Sequence, residues 1–342
     1  MLYVVIAYLW AAILLYLLMG GADFGAGIVE LVTSAANKRS TRKRMYQTIG
    51  PIWEAHHMWL IIAIVSLFVG FPAIYTTVSI HLHIPLTIML LGIIARGTAF
   101  TFRNYDAVVD GMAVVYDRIF MYSSVITPLF LGIIAASAVA GTIDPQAGDF
   151  LSAYVFSWLS FFSVSVGLFT VAICGYLAAI YIIGDTESPA ERQRYIRKAQ
   201  YLNGAAVACG GLVFVAAWHD HVPLIDWVFG HWAGRLAILA ATLSLVVMWY
   251  GLAHGDRYRA RLLAGFQITM ILLTTTYRHF PNIVLLKHQG SLSLLQHQGQ
   301  AKTIDALGVA LLAGSVLILP ALGYLLYSFQ KTAAAHPASE QV

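Results

Sequence analysis

Apolar residues fall along this chain in long blocks separated by short polar stretches. A membrane-spanning helix needs about 20 predominantly apolar residues. Measured against that length, the blocks predict nine spanning helices, at about 3–32, 52–79, 84–103, 120–141, 156–183, 203–218, 232–253, 260–280 and 304–328. The sixth is short and glycine-rich. The first begins at Leu2 with no basic leader and no small-residue cleavage site before Asp23, so it reads as a retained helix rather than a secretory signal.

Lysine and arginine alternate between the connections until the last, 281–303, which carries Lys287 and Lys302. Stretch 37–44 carries five (Lys38, Arg39, Arg42, Lys43, Arg44), 80–83 none, 104–119 one with Arg103 at its border, 142–155 none, 184–202 four, 219–231 none, and 254–259 two. Basic connections mark the cytoplasmic side. The N-terminus is therefore expected outside and the C-terminus, after Lys331, inside, as an odd helix count requires. Most tryptophans sit near segment ends, as an aromatic belt would. The expected fold class is all-α: a polytopic membrane helical bundle of about nine transmembrane helices in one integral membrane domain, residues 1–329. The count leaves room for two four-helix bundles plus one helix, and 330–342 reads as a disordered cytoplasmic tail.

Composition agrees. The 342 residues are 59% hydrophobic and 11% charged, where a soluble domain carries roughly a quarter charged. The net charge of +4 is no nucleic-acid signal, because the basic residues lie between apolar blocks. Cys174 and Cys209 fall inside apolar segments with no metal-site spacing, and read as small packing residues.

Ionisable groups in or near a bilayer are costly, and those kept there usually have a task. Three clusters stand out. Helix one carries Asp23 and Glu30 among Gly20, Gly21, Gly25 and Gly27; Asp23, Gly27 and Glu30 share a face, and Gly21-x-x-x-Gly25 lets another backbone approach. Glu30 fits an acid near the helix end, whereas Asp23 lies deeper, about 15 Å from it at 1.5 Å per residue. Helix two opens with Ile49-Gly-Pro-Ile-Trp-Glu54-Ala-His56-His57-Met-Trp59-Leu60. Glu54 and His57, three apart, would share a face, with His56 turned toward Trp53 and Trp59. Farther on, Phe71-Pro72 should kink or end the helix. Helix three ends with Arg96 and Arg103, seven apart on one face. Arg103 would snorkel to the surface, and Arg96, two turns deeper, is expected to pair with a carboxylate of helix one or two.

Of the twelve histidines, most fall in loops or at boundaries; His56, His57 and His279 touch helices, near their ends. Membrane b-type haems need axial ligands from facing helices, so haem ligation within this chain is not expected. Walker A, HExxH and CxxC patterns are missing from the sequence.

These motifs, taken in order, resemble subunit II of the cytochrome bd-type quinol oxidases. The matching pieces are Gly21-Ala-Asp-Phe-Gly-Ala-Gly27, the basic stretch, Ile49-Gly-Pro-Ile-Trp-Glu54 with Trp59-Leu60, Phe71-Pro72-x-x-Tyr75, and Arg96-Gly97-x-Ala99-Phe100-x-Phe102-Arg103. They cover the first third of the chain; elsewhere length and helix count agree. The resemblance implies a terminal oxidase that oxidises quinol and reduces dioxygen to water. The b-type and d-type haems would lie in the larger partner, subunit I, and none in this chain, with room for a structural quinone or lipid and for small accessory single-helix subunits. It also implies a bacterial or archaeal plasma membrane. Glu54 stands where the family commonly has an aspartate followed by Gly-Asn-Glu, and His57 replaces the second acid. Those departures point to a divergent branch, such as the cyanide-insensitive oxidases with short second subunits.

The expected role is support of the haem-bearing subunit together with proton uptake. Glu54, His57 and Asp23 are the proton-pathway candidates, and Arg96, Arg103, Glu30 and His56 their electrostatic or structural partners. A proton-coupled secondary transporter is the alternative from another class, although such proteins pair broken helices in both halves, and the glycine-rich break of helix one has no evident counterpart. A purely structural anchor is a third reading.

Overall fold

A computed structural model describes residues 1–49, 53, 55–105, 110–186, 188–254 and 258–335. The chain is an all-α membrane bundle. Its helices are α1 (Leu2–Leu31), α2 (Ala35–Ile49), α3 (His57–Gly70), α4 (Pro72–His81), α5 (His83–Tyr105), α6 (Asp110–Ala140), α7 (Phe150–Tyr154), α8 (Phe161–Asp185), α9 (Pro189–His219), α10 (Leu224–Phe229), α11 (Trp232–Ala253), α12 (Tyr258–His279) and α13 (Ala301–Ala335). Between α12 and α13, β1 (Asn282–Leu285) and β2 (Ser291–Ser293) form a small antiparallel hairpin.

Among the described residues, seven helices are long and apolar enough to cross a membrane, and α3 with α4 make an eighth if counted as one bent span. The remaining expected span, the eighth at 260–280, corresponds to α12, which has 22 residues; Gln267 and Thr274–Thr276 lower its apolar character. The proline at 72 acts as expected: α3 and α4 meet at 114° across Phe71. Pro72 starts the new helix, where its missing N–H costs nothing.

Several polar stretches read as loops are helical. The basic stretch 37–44 lies within α2, whose Ala, Lys, Arg and Gln are good helix formers without forming an apolar block. The stretch 104–119 falls largely in α6, and 184–202 in α9, which runs 31 residues from a proline at its first turn. α13 is helical through Ala335, into the stretch expected to be tail; residues 336–342 lie outside the described ones.

The core centres on α8. Cys174, Leu177–Ile180, Ile182 and Ile183 are fully buried, with α1, α6, α9 and α12 around them. α1 reaches α8 through glycine: a Cβ at Gly25 would lie 1.9 Å from the Cys174 carbonyl oxygen and 2.6 Å from the Ala178 Cβ. In a bilayer, where lipid is as apolar as leucine, such close backbone packing supplies much of the association.

The bundle has a basic end and a hairpin end. At the basic end, Arg44 pairs with Glu191 at 3.1 Å, Arg194 donates to Asn37, and Lys198 donates to Thr33 at 2.5 Å, fastening α2 and the end of α1 to α9. At the hairpin end, Lys287 donates its amide to the Ile143 carbonyl at 2.8 Å. Asp144 there lies 3.5 Å from His288 and 3.7 Å from Lys287. The Gln146 amide, bonded to Asp144 at 3.0 Å, holds this carboxyl below the usual carboxylate range, with His288 and Lys287 adding to the effect.

Two outcomes follow from this packing. Gly25→Ala should lower thermal stability by about 1–3 kcal/mol, the scale of an overpacked core, while Gly211→Ala, where a Cβ meets nothing within 4 Å, should leave it unchanged or raised; equal melting temperatures would contradict the close contact. Because Asp144 is depressed in the folded state, its contribution is present above the ordinary value of 3.8 and lost as pH falls below it. Pepsin cleavage of the hairpin should therefore rise below that pH, and Asp144→Ala should show the raised cleavage already above it.

Candidate functional site

Three helices place charge at matched intervals. α1 contributes Asp23 and Glu30, α5 contributes Arg96 and Arg103, and α6 contributes Asp117 and Ser124, each pair seven residues apart. Seven residues are close to two helical turns, roughly 10 Å of rise, so each helix presents both members on one face. The result is two rungs.

The upper rung is Asp23 with Arg96, both buried. Arg96 Nη1 donates to Asp23 Oδ2, Nη2 to Oδ1 at 2.8 Å and to the Asp23 carbonyl at 2.6 Å, and Nε to Ser124 Oγ at 3.0 Å. Its guanidinium lies over Phe24 and Phe120, 5.3 and 4.7 Å from the ring centres. The lower rung is a net-neutral foursome. Glu30 accepts from Arg42 at 2.7 and 3.0 Å and from Arg103 at 3.0 Å, while Asp117 lies 2.6 Å from Arg42 and 3.7 Å from Arg103. Arg103 stacks over Phe120 at 4.1 Å, so one ring stands between the guanidinia of the two rungs.

The second helix delivers histidine to the upper rung. Residues 55 and 56 form a turn before α3 starts at His57. That turn sends the buried His56, and not His57, toward Asp23. His56 Nε2 lies 3.5 Å from Asp23 Oδ2, and among the described residues neither ring nitrogen has a hydrogen-bond partner. The imidazole packs between Tyr16 and Phe24, each 5.8 Å away, with the His57 ring at 4.0 Å. Gly20 makes room for it: a Cβ there would meet the His56 ring at 3.1 Å. Tyr16 opens a π-helical turn, Tyr16–Gly20, within α1, and its buried hydroxyl also lacks a protein partner. Such single-turn bulges recur at functional sites.

The sequence-derived residues are thus partly rearranged. Arg96 meets Asp23. Arg103 does not snorkel; its side chain is 5% exposed and bound to Glu30. Glu30 is as buried as Asp23, not solvated at a helix end. His56, expected to turn toward Trp53 and Trp59, lies beside Asp23; Glu54, with which His57 was expected to share a face, lies outside the described residues. Asp117, Ser124 and Arg42 were missed as partners, although the spacing of Asp117 and Ser124 repeats that of the arginines. Among the described residues, no group of three or more His, Cys, Asp or Glu side chains is placed to hold a metal ion.

A second feature is a cavity of about 300 Å³ between α8, α9, α11 and α12. Phe169, Ile173 and Ile268 make much of it apolar, and Tyr176, Asn203 and Gln267 supply polar groups, with Tyr176 donating to Gln267 at 2.9 Å. An apolar ring carrying carbonyl oxygens, or a lipid tail, matches that lining.

Fold and site together define a multi-pass membrane subunit with an internally neutralised polar seam. The family profile described as cytochrome bd terminal oxidase subunit II matches residues 1–329, and the chain belongs to that family. It is 29% identical over 196 residues to the cytochrome bd ubiquinol oxidase subunit 2 of Bacillus subtilis (strain 168), a match covering 54% of this chain and 56% of that one. With the cytochrome bd-I ubiquinol oxidase subunit 2 of Escherichia coli (strain K12) it shares 23% over 189 residues, 53% of this chain and 49% of the relative. The chain thus spans about half the length of the curated relatives it matches. Its fold is similar to a chain in the structure of bd oxidase from Geobacillus thermodenitrificans, with a TM-score of 0.74 and 22% identity over 96% of this chain and 98% of the other. The resemblance carried by the motifs is confirmed.

Arg96→Leu should destabilise the folded protein by about 3–5 kcal/mol, because it strands Asp23 as an uncompensated buried charge. Arg96→Lys should recover only part of this, since an ammonium cannot engage both carboxylate oxygens and Ser124 together. Thermal unfolding of the purified variants measures both.

Proposed function

We propose that this chain is the haem-free second subunit of a quinol-oxidising, dioxygen-reducing membrane complex. It supports a haem-bearing subunit I, which carries the b-type and d-type haems, and brings protons from the cytoplasmic side. Membership in the subunit II family supports the setting. The clustering of Lys38, Arg39, Arg42, Lys43 and Arg44 with the arginines of α9 at one end supports a cytoplasmic basic end by the positive-inside rule, with the N-terminus outside.

The observation that carries the proton role is His56. Both oxygens of Asp23 accept from Arg96, and Glu30 is held by two arginines. A carboxylate fixed in this way would have to break its ion pair to carry a proton. His56, by contrast, keeps two ring nitrogens without a hydrogen-bond partner among the described residues, next to the Asp23 charge, and a neutral imidazole can take a proton at one nitrogen while giving one up at the other. Beside it the Tyr16 hydroxyl also lacks a partner among the described residues. In this reading Glu54 takes up the proton, His56 relays it with His57 alongside, and the Asp23–Arg96 pair fixes the field in which it moves. If the complex holds a structural quinone in this chain, the side-chain amides of Asn203 and Gln267 are the groups to donate to its carbonyls, with Tyr176 orienting Gln267; it would contribute packing rather than a proton step.

Quinol-driven oxygen consumption and membrane potential in the assembled complex test this reading. Glu54→Gln, Glu54→Ala and His56→Phe should each slow turnover about tenfold, a modest share of what a positioned proton-transfer group contributes, with His57→Phe affecting it less. Normal rates in the two Glu54 variants would remove that residue from the mechanism. A chain that purifies alone and without a d-type haem spectrum would favour the transporter.

A further inference from the structure

Away from the charged seam, the hairpin end of α12 holds a second set of polar groups that the proton role does not use. Trp227, Arg278, His279, Asn282 and Leu285 line a cavity of about 190 Å³, more than ten times the roughly 15 Å³ that one water needs. His279 is only 9% exposed. Its Nδ1 donates to the Thr275 carbonyl at 2.8 Å, so in the neutral ring Nε2 is a hydrogen-bond acceptor. Trp227, edge-on at 4.3 Å, holds the ring in place. Nε2 is buried with no partner among the described residues, a state native proteins seldom leave unexplained.

Arg278, at the same cavity, is exposed and has no ion pair or hydrogen bond among the described residues. The site thus offers a fixed cation, an amide from Asn282 and a buried acceptor. It asks for an anion that also carries a hydrogen-bond donor. Ile225, Phe229, Tyr277 and Phe280, within two residues in sequence of the lining Trp227, Arg278 and His279, are exposed large apolar side chains, an apolar collar that suits the boundary between hydrocarbon and water.

We propose that this cavity binds the headgroup of an anionic phospholipid, with a phosphodiester oxygen on Arg278 and a headgroup hydroxyl donating to His279 Nε2. Phosphatidylglycerol has both groups. Phosphatidylcholine has the phosphate but no donor, and its fixed cation would face Arg278. The apolar collar accounts for a lipid rather than a free ion, since it would seat the acyl chains.

The test is native mass spectrometry of the full chain in the assembly in which it purifies, reconstituted in phosphatidylcholine nanodiscs with and without phosphatidylglycerol. One phosphatidylglycerol should be retained in preference to phosphatidylcholine. Arg278→Gln should cut its retention about tenfold, the scale of one charge-assisted hydrogen bond, and Arg278→Lys should restore most of it. His279→Phe should erase the preference between the two lipids. Arg278 is exposed, so its variants separate binding from folding. Equal retention in the wild type and Arg278→Gln would overturn the proposal. So would displacement of the bound lipid by millimolar inorganic phosphate, which would make this an ion site, or loss of a co-purifying protein from Arg278→Gln with lipid retention unchanged, which would make it a protein contact.

Discussion

An arginine buried in an apolar bundle cannot shed its proton, and a lone charge in such surroundings is too costly to keep. That constraint fixes the centre of this protein. Arg96 needs a carboxylate at its own depth, and Asp23 provides both oxygens and its backbone carbonyl. Once α1 and α5 run in the same direction with that pair in register, Glu30 and Arg103 meet seven residues on without further adjustment. α6 enters with its own sevenfold spacing, closing the lower rung with Asp117 and the upper with Ser124.

The packing follows from the same geometry. The glycines around Asp23 remove the side chains that would hold α1 off α8 and α6; a Cβ at Gly27 would lie 2.2 Å from Ser124 Oγ. The face that carries the charge therefore also carries the closest helix contacts. Gly20 leaves space for His56, so the small residues serve the site as well as the seam. The cost of desolvating the ions is offset only where partners are this complete, which explains why Arg103 and Glu30 do not reach for water although both stand near helix ends.

Much of this was legible beforehand. The apolar blocks revealed the spans, the proline at 72 the bend, and the depth of Arg96 its need for an acid. What stayed hidden had physical causes. A basic helix such as α2 lacks an apolar block, so its polarity read as a loop, and Arg42 was not recognised as a partner of Glu30. Asp117 was lost in the same way, because the start of α6 is polar while its charge is neutralised inside. The place of His56 beside Asp23 was hidden by starting the second helix five residues early, which sets the direction of the side chains about the axis. Spacing alone would have exposed the ladder: 23 and 30, 96 and 103, and 117 and 124 share one interval. The paired charges, and not the histidines, organise the site.

The measurement that bears most directly on this account is a double-mutant cycle at the upper rung, with Asp23→Leu, Arg96→Leu and the double variant followed by thermal unfolding. If the ion pair is the organising constraint, each single change strands a buried charge and the double variant strands none. The double variant should then be less destabilised than the sum of the singles by more than about 2 kcal/mol. Additive effects, within roughly 0.5 kcal/mol, would show that Asp23 and Arg96 act independently and would contradict the ladder as the basis of the fold.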